Sequence, residues 1–199
     1  MINRKLFFAG YKSKFGNLNQ RQVNGLEFLL TEFDKSILFD TKAKISYAMA
    51  TIKRETADTF EPVKEGYWIT NNRVQKLYNY YYNHNRHALD TIFPNGLAGK
   101  NYLGRGRIQT THNYNYKNIG DKLGIDLLNN PDLALDNETD WKILELGFST
   151  GIWTGKKLSN YINDDIVDYY NARKIVNGLD HAREIANYAQ DFFNIISFE

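Results

Sequence analysis

Four carboxylates, Glu55, Asp58, Glu61 and Glu65, fall within the fourteen residues IKRETADTFEPVKE that run from Ile52 to Glu65. Carboxyl groups set this close can divide the work of a general acid and a general base, provided that their surroundings differ. Most charged residues at a helix end are merely solvated, so position has to choose among the four. Glu55 follows Ile52 by three residues and Ala48 by seven, which puts it at the border of the apolar stripe of a continuing helix. Lys53 and Arg54 point elsewhere. Partial burial disfavours the charged form of a carboxyl group, the condition that a general acid working near neutral pH requires, and position lifts Glu55 above its neighbours on that ground, although a structural ion pair perturbs a carboxylate too.

A second stretch, NYLGRGRIQTTHNYNY from Asn101 to Tyr116, offers chemistry of another kind. Gly104 and Gly106 let the backbone turn sharply and approach a ligand. Gln109, Thr110, Thr111, Asn113 and Asn115 supply neutral donors and acceptors that alternate with aromatic faces. That mixture suits a sugar chain, whose hydroxyls need hydrogen bonds in both directions and whose CH faces pack on rings. An ordinary polar loop with core tyrosines has the same composition. The GRG triplet lacks the third glycine of a dinucleotide-binding fingerprint.

Helical periodicity dominates the elements that must carry these residues. Ile45, Ala48, Met49 and Ile52 mark one buried face after Thr41, Val74, Leu77 and Tyr81 another after an Asn72 cap, and Trp141, Leu144, Phe148 and Ile152 a third after Asp136 or Asn137. A further helix is expected from about Asp165 to Val176, stopped by Asn177-Gly178, and a last one after Asp180 that buries Ile185, Tyr188 and Phe192. Only Gly106 to Thr111 reads as extended. Thr91 to Arg107, with its glycines and one proline, reads as a long irregular connection of the kind that often carries function. In the cluster Tyr78, Tyr80, Tyr81 and Tyr82, spacing assigns Tyr78 and Tyr81 to the core and leaves Tyr80 or Tyr82 facing sugar or solvent.

Composition sets the outer bounds. A chain of 199 residues, 42% hydrophobic and 24% charged, has the balance of one globular domain. Without cysteine, no disulfide, thiolate nucleophile or thiolate metal site is available. The histidines His84, His87, His112 and His181 lack the spacing of a zinc protease, and neither a metal nor a cofactor is expected. MINRKLFFAG holds less apolar chain than a signal peptide core needs, and no run approaches the ~20 apolar residues that span a bilayer, so a soluble chain made in the cytoplasm and never inserted in a membrane is expected. Net charge is +2, yet Gly66 to Gly120 carries Arg73, Lys76, Arg86, Lys100, Arg105, Arg107 and Lys117 against Asp90 alone. Such a segment would attract a polyanion, either nucleic acid or an anionic cell-wall polymer. No recognisable nucleic-acid reader accompanies it, and nucleic acid is not an expected partner.

ETADTF, GRGRIQTTHNYNY, NNPDLALD and NARKIVNG, in this order, resemble glycoside hydrolase family 19, the chitinases and the related bacteriophage and bacterial lysins. The resemblance runs from about Lys42 to Phe193. The lysin branch looks closer, since it similarly has Glu-Thr-Ala followed by Thr-Phe-x-Pro-Val and later Asn-Pro-Asp-Leu-Ala-Leu-Asp. It implies a mainly α fold and a single lysozyme-like or chitinase-like domain over 41–199 with a long irregular loop lining its cleft; residues 1–40 lie outside the resemblance and are expected as a helical extension packed on that domain. Carried onto this sequence, the general acid falls on Glu55, the sugar-binding residues of the long motif on Gln109, Thr111 and Asn115, and those of the later motifs on Asn177 and Arg183. Tyr102 and Arg105 complete the expected substrate-binding set.

Departures from the pattern matter as much. Arg54 stands where the chitinases have His, and Arg107 where they have Pro. Their second Glu lies about two dozen residues after the first, whereas Gly66 to Leu89 contains no acid here. Asp58, Glu61, Glu65 and Asp90 are the remaining candidates for the base. Asp58 is too near Glu55 to leave room for a water between carboxyls ~6.5–9.5 Å apart. Glu65 follows Pro62, which ends any helix, and lysins similarly place an acid about ten residues after the first. Glu65 is therefore the expected base or water-positioning residue, and Thr111, on which the resemblance to the lysins places a hydroxyl, its partner in holding that water.

The expected function is that of a peptidoglycan hydrolase, an endolysin or virion-associated lysin that cuts β-1,4 glycosidic bonds after release or as part of a virion, with other virion or lysis proteins as further partners. The alternatives are a chitinase acting on N-acetylglucosamine polymer, and a glycan-binding or virion structural protein of the same fold without catalysis.

Overall fold

The computed structural model describes residues 1–199. In chain order the helices are α1 (Arg4–Phe15), α2 (Gln20–Lys35), α3 (Lys42–Glu55), α4 (Arg73–His84), α5 (Arg86–Ile92), α6 (Asn113–Leu123), α7 (Asn137–Thr150), α8 (Tyr169–Ala172) and α9 (Ala182–Ile195). Two short strands, β1 (Val63–Lys64) and β2 (Arg105–Gly106), pair antiparallel with Val63 opposite Gly106 and Lys64 opposite Arg105. The fold is mainly α, as expected. The chain divides into two compact units, one formed by Met1–Glu61 with Leu144–Glu199 and the other by Pro62–Ile143.

In the first unit α3 is the central element. Every residue from Ile45 to Lys53 is buried, so this helix is enclosed on all sides. Its buried hydroxyls are satisfied within the helix: Ser46 donates to Lys42 O at 2.7 Å and Thr51 to Tyr47 O at 3.0 Å. Thr41 caps its start by accepting from Lys44 N. Residues 1–40 supply two further helices of the same unit. Phe7 and Tyr11 of α1 are buried, and the rings of Phe7 and Phe192 stack at 6.4 Å. Gly10 makes this approach possible, because a Cβ there would stand 2.8 Å from Ile195 Cβ.

At the C-terminal end of α3 the backbone enters a strained turn. Ala57, Asp58 and Phe60 all have φ between 46° and 66°, a region that costs about 1 kcal/mol for a residue with a side chain. Phe60, fully buried, offsets part of that strain with about 2–3 kcal/mol of hydrophobic transfer. Lys53 does more to hold the turn. Its ammonium group pairs with Asp58 and lies 4.6 Å from the Phe15 ring centroid, 5.1 Å from Tyr188, 5.7 Å from Tyr11 and 6.0 Å from Phe60.

The expected helix from Asp165 to Val176 does not form. Four residues of α8 pass into a 3₁₀ turn at Arg173–Ile175. Asp168 is the cap, accepting from Asn171 N at 2.9 Å, so the residues before it lie outside the helix.

In the second unit Leu77, Ala88, Leu89, Ile92, Phe93 and Leu103 form an apolar cluster against which Tyr78 and Tyr81 pack, while Tyr80 and Tyr82 are exposed. Both tyrosine assignments made from spacing hold. Asn72 precedes α4 as expected but sits at φ 51° with no capping bond from its side chain. The extended reading of Gly106 to Thr111 is only partly met: β2 covers Arg105–Gly106, and a further bridge joins Arg105 to Thr110. α6, which follows at once, buries Tyr116 and Ile119.

Candidate functional site

In the first unit, Glu55 is the last residue of α3, and its side chain is 19% exposed. Its Oε1 accepts from Arg173 Nη1 at 2.5 Å. The guanidinium is 4% exposed and is fixed a second time by Nε donating to Asp180 O at 2.9 Å. Glu55 thus sits at the edge of the buried stripe as the spacing predicts, with a cation that the spacing does not reveal. Oε2 of Glu55 keeps no protein partner.

Arg54, in the place of the chitinase His, turns away from Glu55. Its Nε donates to Glu184 Oε2 at 3.1 Å and its Nη2 meets His181 Nε2 at 2.7 Å. His181 Nδ1 in turn lies 3.0 Å from Glu184 Oε2, so the neutral tautomer with hydrogen on Nδ1 satisfies all three groups. Among the other candidates, Asp58 is committed to Lys53 and Glu61 to Arg21 at 2.5 Å. Arg183 is exposed, with its guanidinium 6.0 Å from the Tyr170 ring, and Asn177 is exposed with its Oδ1 accepting from Gly178 N. Arg173, not Arg183, is the arginine that reaches the expected acid. The signal was present, since Arg173 lies inside NARKIVNG.

In the second unit, Glu65 extends the β1 pairing, its N–H donating to Gly104 O at 2.7 Å. Its carboxylate is held at both oxygens: Tyr81 Oη donates to Oε1 at 2.6 Å and Gly104 N to Oε2 at 2.9 Å. Burial first, then the negative charge of Glu65, pushes the Tyr81 phenol well above its usual range, so it stays a neutral donor. Each carboxylate oxygen has a second lone pair free for water.

Gly104 joins Glu65 to the long polar motif. A Cβ at Gly104 would fall 2.7 Å from Gln109 Oε1 and 3.2 Å from Thr111 Oγ1. Gln109, strained at φ 57°, donates both hydrogens of Nε2, to Val63 O at 2.9 Å and to Gly106 O at 2.8 Å. Thr111 Oγ1 donates to Gln109 O at 2.9 Å, and Asn115 Nδ2 donates to Thr111 O at 2.9 Å. The motif therefore builds itself into a rigid wall beside Gly104, with Gln109 Oε1 and Thr111 Oγ1 on the same side.

Two expected sugar-binding residues are corrected. Tyr102 is 6% exposed and donates its hydroxyl to Leu128 O, so its ring belongs to the core. Arg105 is 2% exposed, and its guanidinium is taken up by Asp132, Leu103 O, Tyr116 and Asn101. Arg107 is likewise buried, bonded to Asp140 at 2.7 Å and Asn137 at 2.7 Å. Burying a guanidinium without partners is prohibitively costly, which is why both arginines tie loops together. Lys64 goes to Asp132 and leaves Glu65 free of any ion pair.

Residues 41–159 match the family model described as chitinase class I. Chitinase 3 of Oryza sativa subsp. japonica is 50% identical over 56 residues, and an endochitinase of Pisum sativum 51% over 55; each match covers 28% of this chain but only 16% and 15% of those proteins. Among solved structures, chitinase C of Streptomyces griseus superposes with a TM-score of 0.62 at 24% identity, over 97% of this chain and 77% of that one. A bacterial family 19 chitinase gives a TM-score of 0.59 at 22% identity, over 94% of this chain and 93% of that one. The match over 41–159, more than half of the sequence, is the decisive one: the chain belongs to glycoside hydrolase family 19.

Proposed function

We propose that the protein hydrolyses β-1,4 glycosidic bonds of an N-acetylated amino-sugar polymer, with chitin as the leading substrate. The observation that carries this reading is the constellation at Gly104, where a carboxylate fixed by two donors, a glutamine oxygen and a threonine hydroxyl are gathered around one glycine. In the step itself the glycosidic C–O bond breaks, and the leaving oxygen takes a proton from Glu55 Oε2 as an oxocarbenium-like transition state develops. Water forms the new bond to the anomeric carbon, and Glu65 accepts its proton with Thr111 positioning the water. Arg173 orients the acid through Oε1, and Tyr81 orients the base.

Chitin is preferred over peptidoglycan because part of the basic charge of Gly66 to Gly120 is neutralised within the chain. Arg105, Arg107 and Lys117 are each paired with an aspartate, so the segment presents less free positive charge to an anionic wall than its composition implies. The ten-residue step from Glu55 to Glu65, and the absence of an acid from Gly66 to Leu89, favour a peptidoglycan-cutting lysin as the second reading.

The test is incubation of the protein and its Glu55→Gln variant with chitin and, separately, with purified peptidoglycan, identifying the reducing ends released by mass spectrometry. N-acetylglucosamine oligomers released by the parent alone support the leading reading. Muropeptides without chitin fragments would replace it with the second, and no release from either polymer would overturn both.

A further inference from the structure

β1 presents Lys64 and the residue after it, Glu65, to opposite faces of an extended chain. Glu65 turns toward Tyr81 and Gly104, whereas Lys64 turns toward Asp132. On the Lys64 side lies a cavity of about 590 Å³, within the ~300–1,000 Å³ that small-ligand sites occupy. None of Glu65, Tyr81, Gln109 or Thr111 lines it.

The lining is chemically specific. Asp132 Oδ1 takes both Lys64 Nζ at 2.9 Å and Arg105 Nε at 2.6 Å, so two of the three cations at the wall are already committed to one carboxylate. Burial works to raise the Asp132 carboxyl, but the hydrogen bonds from Lys64 and Arg105 overcome it and hold it below the usual carboxylate range. The third cation, Lys100, is unpaired and faces a cavity that also carries Asp136. Charge is therefore close to balanced, and an anion entering would meet Asp136 and the open Oδ2 of Asp132. What remains unspent is neutral hydrogen-bonding capacity: the side-chain amide of Asn129, Nδ2 of Asn101 and most of the Asn130 amide, whose Nδ2 makes one long contact of 3.4 Å to Asp126. Leu133, 40% exposed, gives the same wall an apolar surface.

We propose that this cavity is a second, non-catalytic binding site for an uncharged saccharide segment, held by Lys100, Asn101, Asn129 and Asn130 with its hydroxyls donating to Asp132. Hydroxyl groups answer both the donors and the acceptors of such a wall, and the CH face of a pyranose ring covers Leu133. The site uses none of the residues assigned to hydrolysis. Only the choice of sugar probe rests on the proposed function.

The experiment is a two-dimensional amide NMR titration of the Glu55→Gln protein with triacetylchitotriose, repeated with an oligogalacturonate as the anionic counterpart. The expected result is saturable shifts at Lys100, Asn101, Asn129 and Asn130 with the neutral sugar alone, and a midpoint weakened about fivefold or more in the Lys100→Ala and Asn129→Ala variants, each of which removes at least one hydrogen bond of ~1 kcal/mol. Shifts confined to Glu65, Gln109 and Thr111 would overturn the second site and leave the hydrolase reading intact. Shifts confined to the cavity would uphold the site while the hydrolase reading falls, silence at both sets would overturn both, and tighter binding of the galacturonate would overturn the neutral-ligand assignment.

Discussion

Arg173 Nη1 stands 2.5 Å from Glu55 Oε1 across 118 residues of sequence, and a main-chain carbonyl at Asp180 holds the same guanidinium from its other side. The cation cannot leave when the carboxylate is removed, because it is buried where it is. Glu55→Ala should therefore cost about 3 kcal/mol of stability, as the loss of one partner of a buried pair does. Glu55→Gln should cost only about 1–2 kcal/mol, since the amide oxygen still accepts the bond. Urea denaturation of the two variants measures the difference, and equal midpoints would mean that the pair contributes nothing.

Arg173→Lys keeps the charge and loses the planar fork that bonds Glu55 and Asp180 together. Its kcat on soluble chitin oligomers should fall roughly tenfold to a hundredfold with a small change in KM, because an oriented proton donor acts in the transition state. A change in KM alone would show that Arg173 binds substrate instead.

Tyr81→Phe removes one of the two donors to Glu65 while leaving the ring in its apolar cluster. The protein should lose about 1 kcal/mol of stability, and kcat should drop about tenfold as the carboxylate gains freedom. Unchanged kinetics would argue that Gly104 N alone suffices to position the group.

Gly104→Ala places a methyl group against Gln109 Oε1, and the glutamine cannot retreat without giving up its bonds to Val63 and Gly106. Activity should fall by at least tenfold. The double variant Gly104→Ala with Gln109→Ala should fall by less than the product of the two single effects, because shortening Gln109 removes the collision.

His112 provides a pH dependence of known sign. Burial is the first cause that lowers its pKa from the ordinary 6.5, with His87 adding to it and Glu65 opposing. The unfolded chain thus takes up the proton before the folded one, so the unfolded state gains as pH falls below about 6.5. Stability measured at pH 7.5 and 5.5 should decline toward the lower value, and His112→Gln should show a shallower decline. An identical slope in the variant would assign the effect to another group.

The helices that carry the candidate site were readable because each has a buried face with a clear period: Ile45 through Ile52 for α3, and Ile185 with Phe192 for α9. Glu55 was legible for the same reason, as a charged residue on the boundary of a buried stripe. Its partner was not, because nothing local links two residues so far apart, and Arg173 sat within what reads as one helix until Asp168 is seen to cap a much shorter one. The pairing of Arg105 and Arg107 was not legible for a related reason. The sequence displays their charges, while the aspartates that neutralise them, Asp132 and Asp140, come from 27 and 33 residues further on. α6 escaped notice because its few apolar residues are hidden among Asn, Tyr and Lys.

The aromatic enclosure of Lys53 also makes that side chain a chemical reporter. Acylating reagents modify lysines that water can reach, and the Lys53 side chain is 7% exposed, with its ammonium ringed by Tyr11, Phe15, Phe60 and Tyr188. It should be among the last of the lysines to react, and only when the end of α3 opens. The rate at which mass spectrometry finds Lys53 modified, relative to exposed lysines such as Lys76 or Lys100, therefore counts the openings of the segment that holds Glu55.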